Sequence, residues 1–168
     1  AWSAPAFWEM GLLGSEWQAD WIAPAWEEDA NASQPSPMFR RVFKTNDNIV
    51  SARIYATSLG LYELWLNGQR VGDAVLTPGW TSYRHRLRYS TYDVTNLLRP
   101  GVNAIAATVA AGWFRGHLGF EGGLHNVYGD RVGLLAQLEV WYTDGRRQTV
   151  VTDDSWCTTD IGPVRSAG

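Results

Sequence analysis

The feature of the sequence that most constrains the fold is a predicted β-hairpin centred on Asn67-Gly68. Residues 61–66 alternate between two faces and carry two aromatic and three leucine side chains, which suits a half-buried strand. A type I′ turn needs positive φ at both central residues, and Asn-Gly meets that need best. A short return strand over residues 69–71 and a second turn at 77–80 complete the pattern. The stretch 59–80 therefore predicts antiparallel β-structure, with the Trp80 indole beside it.

Short strand-like segments separated by turn residues recur along the rest of the chain. The predicted strands cover residues 38–44, 49–57, 84–92, 102–109, 131–142, 147–152 and 155–158. The clearest strand is 131–142, where one face is apolar and consists of Val132, Leu134, Ala136, Leu138, Val140 and Tyr142. Because the strands are short and no long helical period occurs, we predict an all-β fold, a jelly-roll-like antiparallel β-sandwich.

Composition excludes several function classes. The 168 residues suffice for one domain with a real core, and the net charge of −3 gives no basic stripe for nucleic acid. No apolar run is long enough for a transmembrane helix, so no membrane partner is expected. Ten Trp residues are unusual, and indoles are well suited to stacking on sugars. The lone Cys157, expected to be buried, excludes an internal disulfide, and the compartment stays open, with the cytoplasm slightly favoured over secretion.

The candidate ligand site lies in a glycine-rich loop over residues 111–133. A loop of this length inside a compact domain is often functional. Sugar binding needs a flat aromatic face and a few planar polar groups. Trp113, Arg115, Asn126 and Asp130 offer these groups, and Trp80 could provide a second platform. The alternative is that both indoles wedge the domain against its neighbours and that Arg115 pairs with a carboxylate at an interdomain contact.

Metal sites are less well supported by the sequence. His117 and His125 would need Glu121 or Asp130 to complete a site, and we interpret both histidines as polar loop residues. Calcium is a possible cofactor, since Asn126, Asp130 and Asp73 could supply oxygen ligands, although no diagnostic ligand loop is present. Two further acidic runs, at residues 27–29 and 153–154, are predicted to be solvated turns.

Several motifs, in the same order, resemble the N-terminal β-sandwich domain of bacterial α-L-rhamnosidases, glycoside hydrolase family 78. They are Tyr-Glu-Leu-Trp-Leu-Asn-Gly-Gln-Arg-Val-Gly-Asp at 62–73, Thr-Pro-Gly-Trp-Thr-Ser-Tyr at 77–83, Thr-Tyr-Asp-Val-Thr-Asn-Leu-Leu at 91–98, Gly-Trp-Phe-Arg-Gly at 112–116, Tyr-Gly-Asp at 128–130 and Gly-Pro-Val-Arg-Ser at 162–166. One departure is local: the family often has an acidic residue before Gly-Trp, whereas this chain has Ala111.

The resemblance implies a galactose-binding-domain-like sandwich and a division of the chain. Residues 1–12 would be the last strand of a preceding fibronectin-type domain, 13–37 a linker, 38–162 the sandwich and 163–168 an exit segment, so the chain is expected to be a piece of a longer protein. The indoles of the linker are expected to pack on the sandwich.

The resemblance also implies an accessory domain, carbohydrate-binding or scaffolding, of an enzyme that releases terminal α-L-rhamnose. Its partners would be a helical catalytic barrel in the same polypeptide and rhamnose-containing glycans. No catalytic residue is assigned, because in this family both carboxyl groups lie on the barrel, and the fragment alone is not expected to be catalytic. Two alternatives stay open, namely a loop residue lent to the active site of the full enzyme, or a spacer without ligand.

Overall fold

The structure, a computed structural model, describes residues 2–6, 8–121 and 123–166. Its helical elements are short: α1 (Gly112–Arg115) and two 3-10 turns, at Gly14–Glu16 and Thr95–Leu97. Among the described residues, no helix has the length and apolar character needed to cross a membrane. The strands are β1 (Met38–Thr45), β2 (Ile49–Leu59), β3 (Leu61–Leu66), β4 (Gln69–Arg70), β5 (Ser90–Asp93), β6 (Gly101–Ala110), β7 (Gly133–Tyr142), β8 (Arg147–Val151) and β9 (Cys157–Thr159).

The strands form two antiparallel sheets that enclose one apolar core. The five-stranded sheet has the order β4-β3-β6-β1-β9, and the four-stranded sheet has the order β5-β2-β7-β8. Both sheets contribute fully buried side chains, among them Phe39, Leu64, Leu66 and Ile105 from the first and Ile54, Leu134, Leu138 and Val140 from the second. The predicted antiparallel β-sandwich is therefore confirmed.

Local sequence patterns explain the two best-predicted elements. Asn67 and Gly68 have φ of 53° and 81°, and Leu66 pairs with Gln69, as a two-residue hairpin loop requires. The predicted apolar face of β7 is buried along its whole length, from Val132 to Tyr142. Here local propensity and burial favour the same conformation.

Two sequence-based predictions are wrong in detail. Residues 84–89 do not form a strand, because the backbone turns where His85 and Arg86 both donate to the Ser82 carbonyl, at 2.7 and 2.9 Å. The strand predicted there begins only at Ser90. Cys157 is exposed, not buried, since its strand β9 lies at the edge of the five-stranded sheet.

The segment before β1 covers the outer face of the four-stranded sheet. Trp17 packs edge-on against Tyr89 with 5.4 Å between ring centroids, as expected for a linker indole. The Gln18 amide donates to the Gln137 side chain at 2.7 Å, which satisfies a polar group that is fully buried on β7. Residues 2–6 and 8–12 form no strand within this chain, so their assignment to a preceding domain stays a prediction.

Candidate functional site

Two stacked indoles form the most prominent feature of the candidate site. The Trp80 and Trp113 rings are 5.9 Å apart and nearly parallel, at 9°. Trp80 follows the second predicted turn, which is held to β3 by hydrogen bonds from the Tyr62 amide to the Thr77 carbonyl and from the Thr77 hydroxyl to the Tyr62 carbonyl, at 2.8 and 2.7 Å. Trp113 lies on α1. Because Trp80 keeps 53% of its surface exposed, part of its ring is open to a ligand, whereas Trp113 is half-buried.

Three further aromatic rings, those of Tyr83, Phe114 and Tyr128, pack beside this pair. Tyr83 packs on Phe114 and Tyr128, with ring centroids 5.1 and 4.9 Å apart. The Tyr128 hydroxyl accepts a hydrogen bond from the Trp80 indole nitrogen at 3.3 Å. Burial raises the pKa of Tyr83, with the neighbouring Tyr128 adding to the effect, so the phenol stays neutral at physiological pH. The indole platform is thus held by packed rings rather than by loop backbone alone.

A groove borders the exposed indole. It measures about 350 Å³ and is lined by Trp80, Thr81, Ser82, Arg86 and Arg88. The Thr81 hydroxyl is buried and has no hydrogen-bond partner within the part of the chain that the structure describes. The groove therefore offers an aromatic wall, the hydroxyl of the exposed Ser82 and two guanidinium groups within one concavity.

Arg115, predicted to bind ligand, pairs with a carboxylate of the same chain. Its Nη1 contacts Glu28 Oε2, and both side chains are almost fully buried, at 7% and 4% exposure. Its Nη2 also donates to the Asp29 carbonyl at 3.4 Å. The prediction that residues 27–29 form a solvated turn is therefore wrong for Glu28, because this carboxylate neutralises the buried guanidinium.

Asn126 holds the same segment in place. Its side-chain amide donates to the Ala30 carbonyl at 2.8 Å, and its backbone amide donates to the Arg115 carbonyl at 2.9 Å. Its φ of 56° lies in the left-handed region that asparagine tolerates. Arg115 and Asn126 thus fasten residues 28–30 to the glycine-rich loop, and their predicted contact with a ligand stays a prediction.

The remaining predicted site residues are not gathered into a metal centre. Asp73 and Asp130 are both exposed, and the His117 and His125 rings meet edge-on at 5.2 Å. Within the described ranges, no group of three or more His, Cys, Asp or Glu side chains is placed to hold a metal ion.

A small cavity beside Asn126 tests the possible calcium site. It has about 40 Å³ and is lined by Asn126, Arg115 and both loop histidines, together with residues 30–34, 111 and 116. The side-chain oxygen Oδ1 of Asn126 is buried and finds no hydrogen-bond partner among the residues that the structure describes, and a cation or a water could satisfy it. However, the described residues that line the cavity include a guanidinium and no carboxylate, so they do not fit Ca²⁺. The volume suits ordered water.

The glycine-rich loop ends in a protruding tip. Leu118 and Leu124 exchange two backbone hydrogen bonds of 2.8 Å, which closes a narrow hairpin-like turn. Phe120 at this tip is 96% exposed.

Sequence reasoning missed several residues of this region. Tyr83 and Tyr128 were visible only as parts of family motifs, and Arg86 and Arg88 were hidden in the segment that was predicted as a strand. One sequence signal could have identified Arg86 and Arg88. Arginines cluster at positions 84, 86 and 88, although the chain has a net negative charge.

Comparison with known proteins assigns the chain to a family. The family model described as the alpha-L-rhamnosidase N-terminal domain matches residues 47–168. The alpha-L-rhamnosidase of Streptomyces avermitilis is 45% identical over 167 residues, which cover 99% of this chain and 16% of that protein. The curated relatives of this chain are much longer, since it spans only 16%, 18% or 19% of their length.

Solved structures agree with this assignment. The crystal structure of native alpha-L-rhamnosidase from Aspergillus terreus matches with a TM-score of 0.89 and 46% identity, covering 92% of this chain and 18% of that chain. A lectin from Pleurotus ostreatus, in complex with GalNAc, matches with a TM-score of 0.55 and 25% identity over 86% of this chain and 36% of that chain. The motifs noted in the sequence, the β-sandwich and these matches agree: the chain belongs to the family of α-L-rhamnosidase N-terminal domains, one domain of a larger polypeptide.

Proposed function

We propose that this chain is a carbohydrate-binding accessory domain of an α-L-rhamnosidase, an enzyme that releases terminal L-rhamnose from glycosides. The observation that carries the proposal is the open face of Trp80, stacked on Trp113 and bordered by a groove of about 350 Å³. Stacking on a rigid indole is the usual way in which a protein recognises the apolar face of a sugar ring. The rhamnosidase relatives and the GalNAc-bound lectin support a role in binding sugars.

The chemistry of L-rhamnose fits this arrangement. It is a 6-deoxy sugar, so its methyl group and ring C–H bonds can contact the indole while its hydroxyl groups face the polar wall. Ser82 is exposed and offers a hydroxyl group on that wall. Because the indole is already fixed by Trp113 and Tyr128, little conformational entropy is lost when a sugar stacks on it.

Calorimetric titration with L-rhamnose tests this function. We expect weak binding that falls at least about tenfold, or about 1.4 kcal/mol, in a Trp80→Ala variant. Trp2→Ala is the matched control, since Trp2 is fully exposed and far from the groove in sequence. Native affinity in the Trp80→Ala variant would show that the sugar does not use this site.

A scaffolding role is a second candidate, favoured by an apolar groove on the five-stranded sheet. This groove of about 380 Å³ lies on the outer face and is lined largely by Leu61, Tyr62, Trp65, Leu76, Ala110, Pro163 and Val164. Leu76 is 57% exposed and Val164 is 42% exposed. An exposed apolar patch of this kind marks a protein interface. The helical catalytic barrel of the same polypeptide is the partner that we propose for it.

The complete polypeptide tests the scaffolding role. A Leu76→Asp change should lower the temperature at which the domains unfold together, because it places a charge in the interface. Val50→Asp is the control, since Val50 is equally exposed, at 56%, but belongs to the other sheet. Equal effects of the two variants would count against an interface at this groove.

A further inference from the structure

The groove beside Trp80 carries more positive charge than recognition of a neutral sugar requires. Arg86 and Arg88 line it together with Thr81 and Ser82. We propose that this groove binds a sugar that bears an anionic group, either the carboxylate of a uronic acid or a sulfate ester. The inference rests on the proposed sugar-binding function and names the ligand class for that site.

Hydrogen bonds fix the main chain at both arginines of the groove. The Arg86 amide donates to the Ser82 carbonyl at 2.9 Å, which ends the turn after Trp80. The Arg88 carbonyl accepts a hydrogen bond from the Thr57 hydroxyl on β2 at 2.7 Å. Since both arginines line the same groove as the indole, a sugar stacked on Trp80 would lie within reach of their long side chains.

Neither arginine is neutralised within the described part of the chain. The ion pairs found there involve Arg41, Arg53, Arg70, Arg115, Arg146 and Arg147. Arg86 and Arg88 form none of these pairs, although acidic residues outnumber basic ones, at 17 to 14. A guanidinium stays charged at all physiological pH values, so the groove keeps two uncompensated positive charges.

A neutral hydrogen-bonding group lies in the same groove. Ser82 is exposed and lines the groove, so its hydroxyl is available to a sugar. The Thr81 hydroxyl is buried and is not available in this way. The groove thus combines stacking, a neutral hydrogen bond and an anion contact for a single ring.

The anion contact would control specificity. Guanidinium groups bind carboxylate and sulfate oxygens through charge-assisted hydrogen bonds that are shorter and stronger than neutral ones. A neutral sugar would gain only the stacking and the hydroxyl contacts, so the charged sugar is preferred.

Four sugars separate the possible outcomes: D-glucose, D-glucuronate, D-glucose 6-sulfate and L-rhamnose. The first three differ only at the substituent on C5, so they isolate the effect of charge. In calorimetric titrations at low salt we expect at least one charged sugar to bind about tenfold more tightly than glucose. The charged sugar that binds more tightly identifies the group as carboxylate or sulfate. This advantage should shrink at high salt, because the arginines are exposed.

Two double variants locate the effect. In the double variant Arg86→Gln with Arg88→Gln, the affinity for the charged sugars should fall to the affinity for glucose. Arg40→Gln with Arg165→Gln removes the same net charge elsewhere on the surface and should preserve the preference. Equal affinity for charged and neutral sugars, or a preference that survives the first double variant, would overturn the inference. The proposed sugar-binding function would still stand if L-rhamnose binds. Failure of all four sugars to bind would overturn the proposed function and this inference with it.

Discussion

At the scale of single residues, the contact with the clearest measurable consequence is the ion pair of Arg115. The sequence left Arg115 either as a ligand contact or as the partner of a carboxylate at an interdomain contact, and the structure pairs it with Glu28 of the same chain. Neither side chain is exposed enough for water to replace the pair. The contact between Arg115 and Glu28 therefore has a structural consequence that can be measured.

Glu28→Gln should destabilise the domain by about 3 kcal/mol, because it leaves the Arg115 charge buried without a counter-ion. Urea denaturation at neutral pH measures this change in the free energy of unfolding. Asp144→Asn is the control, since its partner Arg146 is 63% exposed and the pair should contribute nothing measurable. If Glu28→Gln is as mild as Asp144→Asn, the buried ion pair does not stabilise the fold.

The aromatic residues mark the limit of sequence reasoning at this scale. Trp80 and Trp113 could be proposed as platforms because indoles near turns and glycine-rich loops are typical of sugar sites. Their stacking on each other could not be predicted, because it depends on how the turn at residues 77–80 and helix α1 are brought together by the sandwich. The same holds for Arg86 and Arg88, whose position follows from a turn that the sequence pattern did not reveal.

At the scale of elements, the Asn67-Gly68 hairpin does more than reverse the chain. The Asn67 side chain donates to the Leu97 carbonyl and to the Asn103 side chain at 2.8 and 2.7 Å, and it accepts from the Ala104 amide at 3.0 Å. Asn103 is fully buried. The turn itself was predictable from two residues, whereas this network was not, because its members are distant in sequence.

Asn67→Ala should therefore cost about 2 kcal/mol of stability, more than a turn preference alone. Alanine tolerates positive φ poorly and leaves the buried Asn103 amide group without one partner. Thermal unfolding compared with Asn96→Ala, an exposed asparagine, provides the measurement. A loss of stability no larger than that of Asn96→Ala would mean that the hydrogen-bond network of Asn67 does not stabilise the fold.

The residues around Glu9 should loosen from the sheet in acid. Glu9 forms a two-pronged ion pair with Arg53, both contacts at 2.7 Å, and the hydrogen bond from Arg53 lowers the pKa of Glu9 below its ordinary value of 4.5. A lowered carboxyl pKa contributes stability above pH 4.5, and this contribution disappears as the pH falls through the folded-state value. The Arg53 side-chain NMR signal should follow that transition. In Glu9→Gln only the part of the change that comes from Asp93, which contacts Arg53 at 2.9 Å, should remain.

At the scale of the whole molecule, strand count and turn chemistry were enough for the class of fold but not for its strand order. The alternation in β7 and the Asn-Gly turn are local signals, so they identify strands and one hairpin. The order β4-β3-β6-β1-β9 depends on long-range pairing, such as Phe39 opposite Ala107, which no local pattern encodes. The environment of the outer sheet faces could not be predicted either, because the segment before β1 covers one of them.

The isolated chain should not hydrolyse rhamnosides. Glycoside hydrolysis needs two carboxyl groups at roughly 6.5–9.5 Å for inversion or about 5–5.5 Å for retention, held rigidly around the bond. The acids near the candidate site, Glu121 and Asp130, are both exposed on the glycine-rich loop. Release of p-nitrophenol from p-nitrophenyl α-L-rhamnoside that copurifies with the chain, and is lost in Glu121→Gln, would contradict this expectation.

The most direct test of the central claim follows the indole N–H signals of the tryptophans by NMR during titration with L-rhamnose. A sugar that stacks on the proposed platform should shift the signals of Trp80 and Trp113 together, in a saturable way, while that of the remote Trp141 stays in place. Trp141 borders a different groove, beside Arg53 and Tyr55, so it reports binding elsewhere. Shifts confined to Trp141, or no shifts at millimolar sugar, would contradict a sugar site at Trp80.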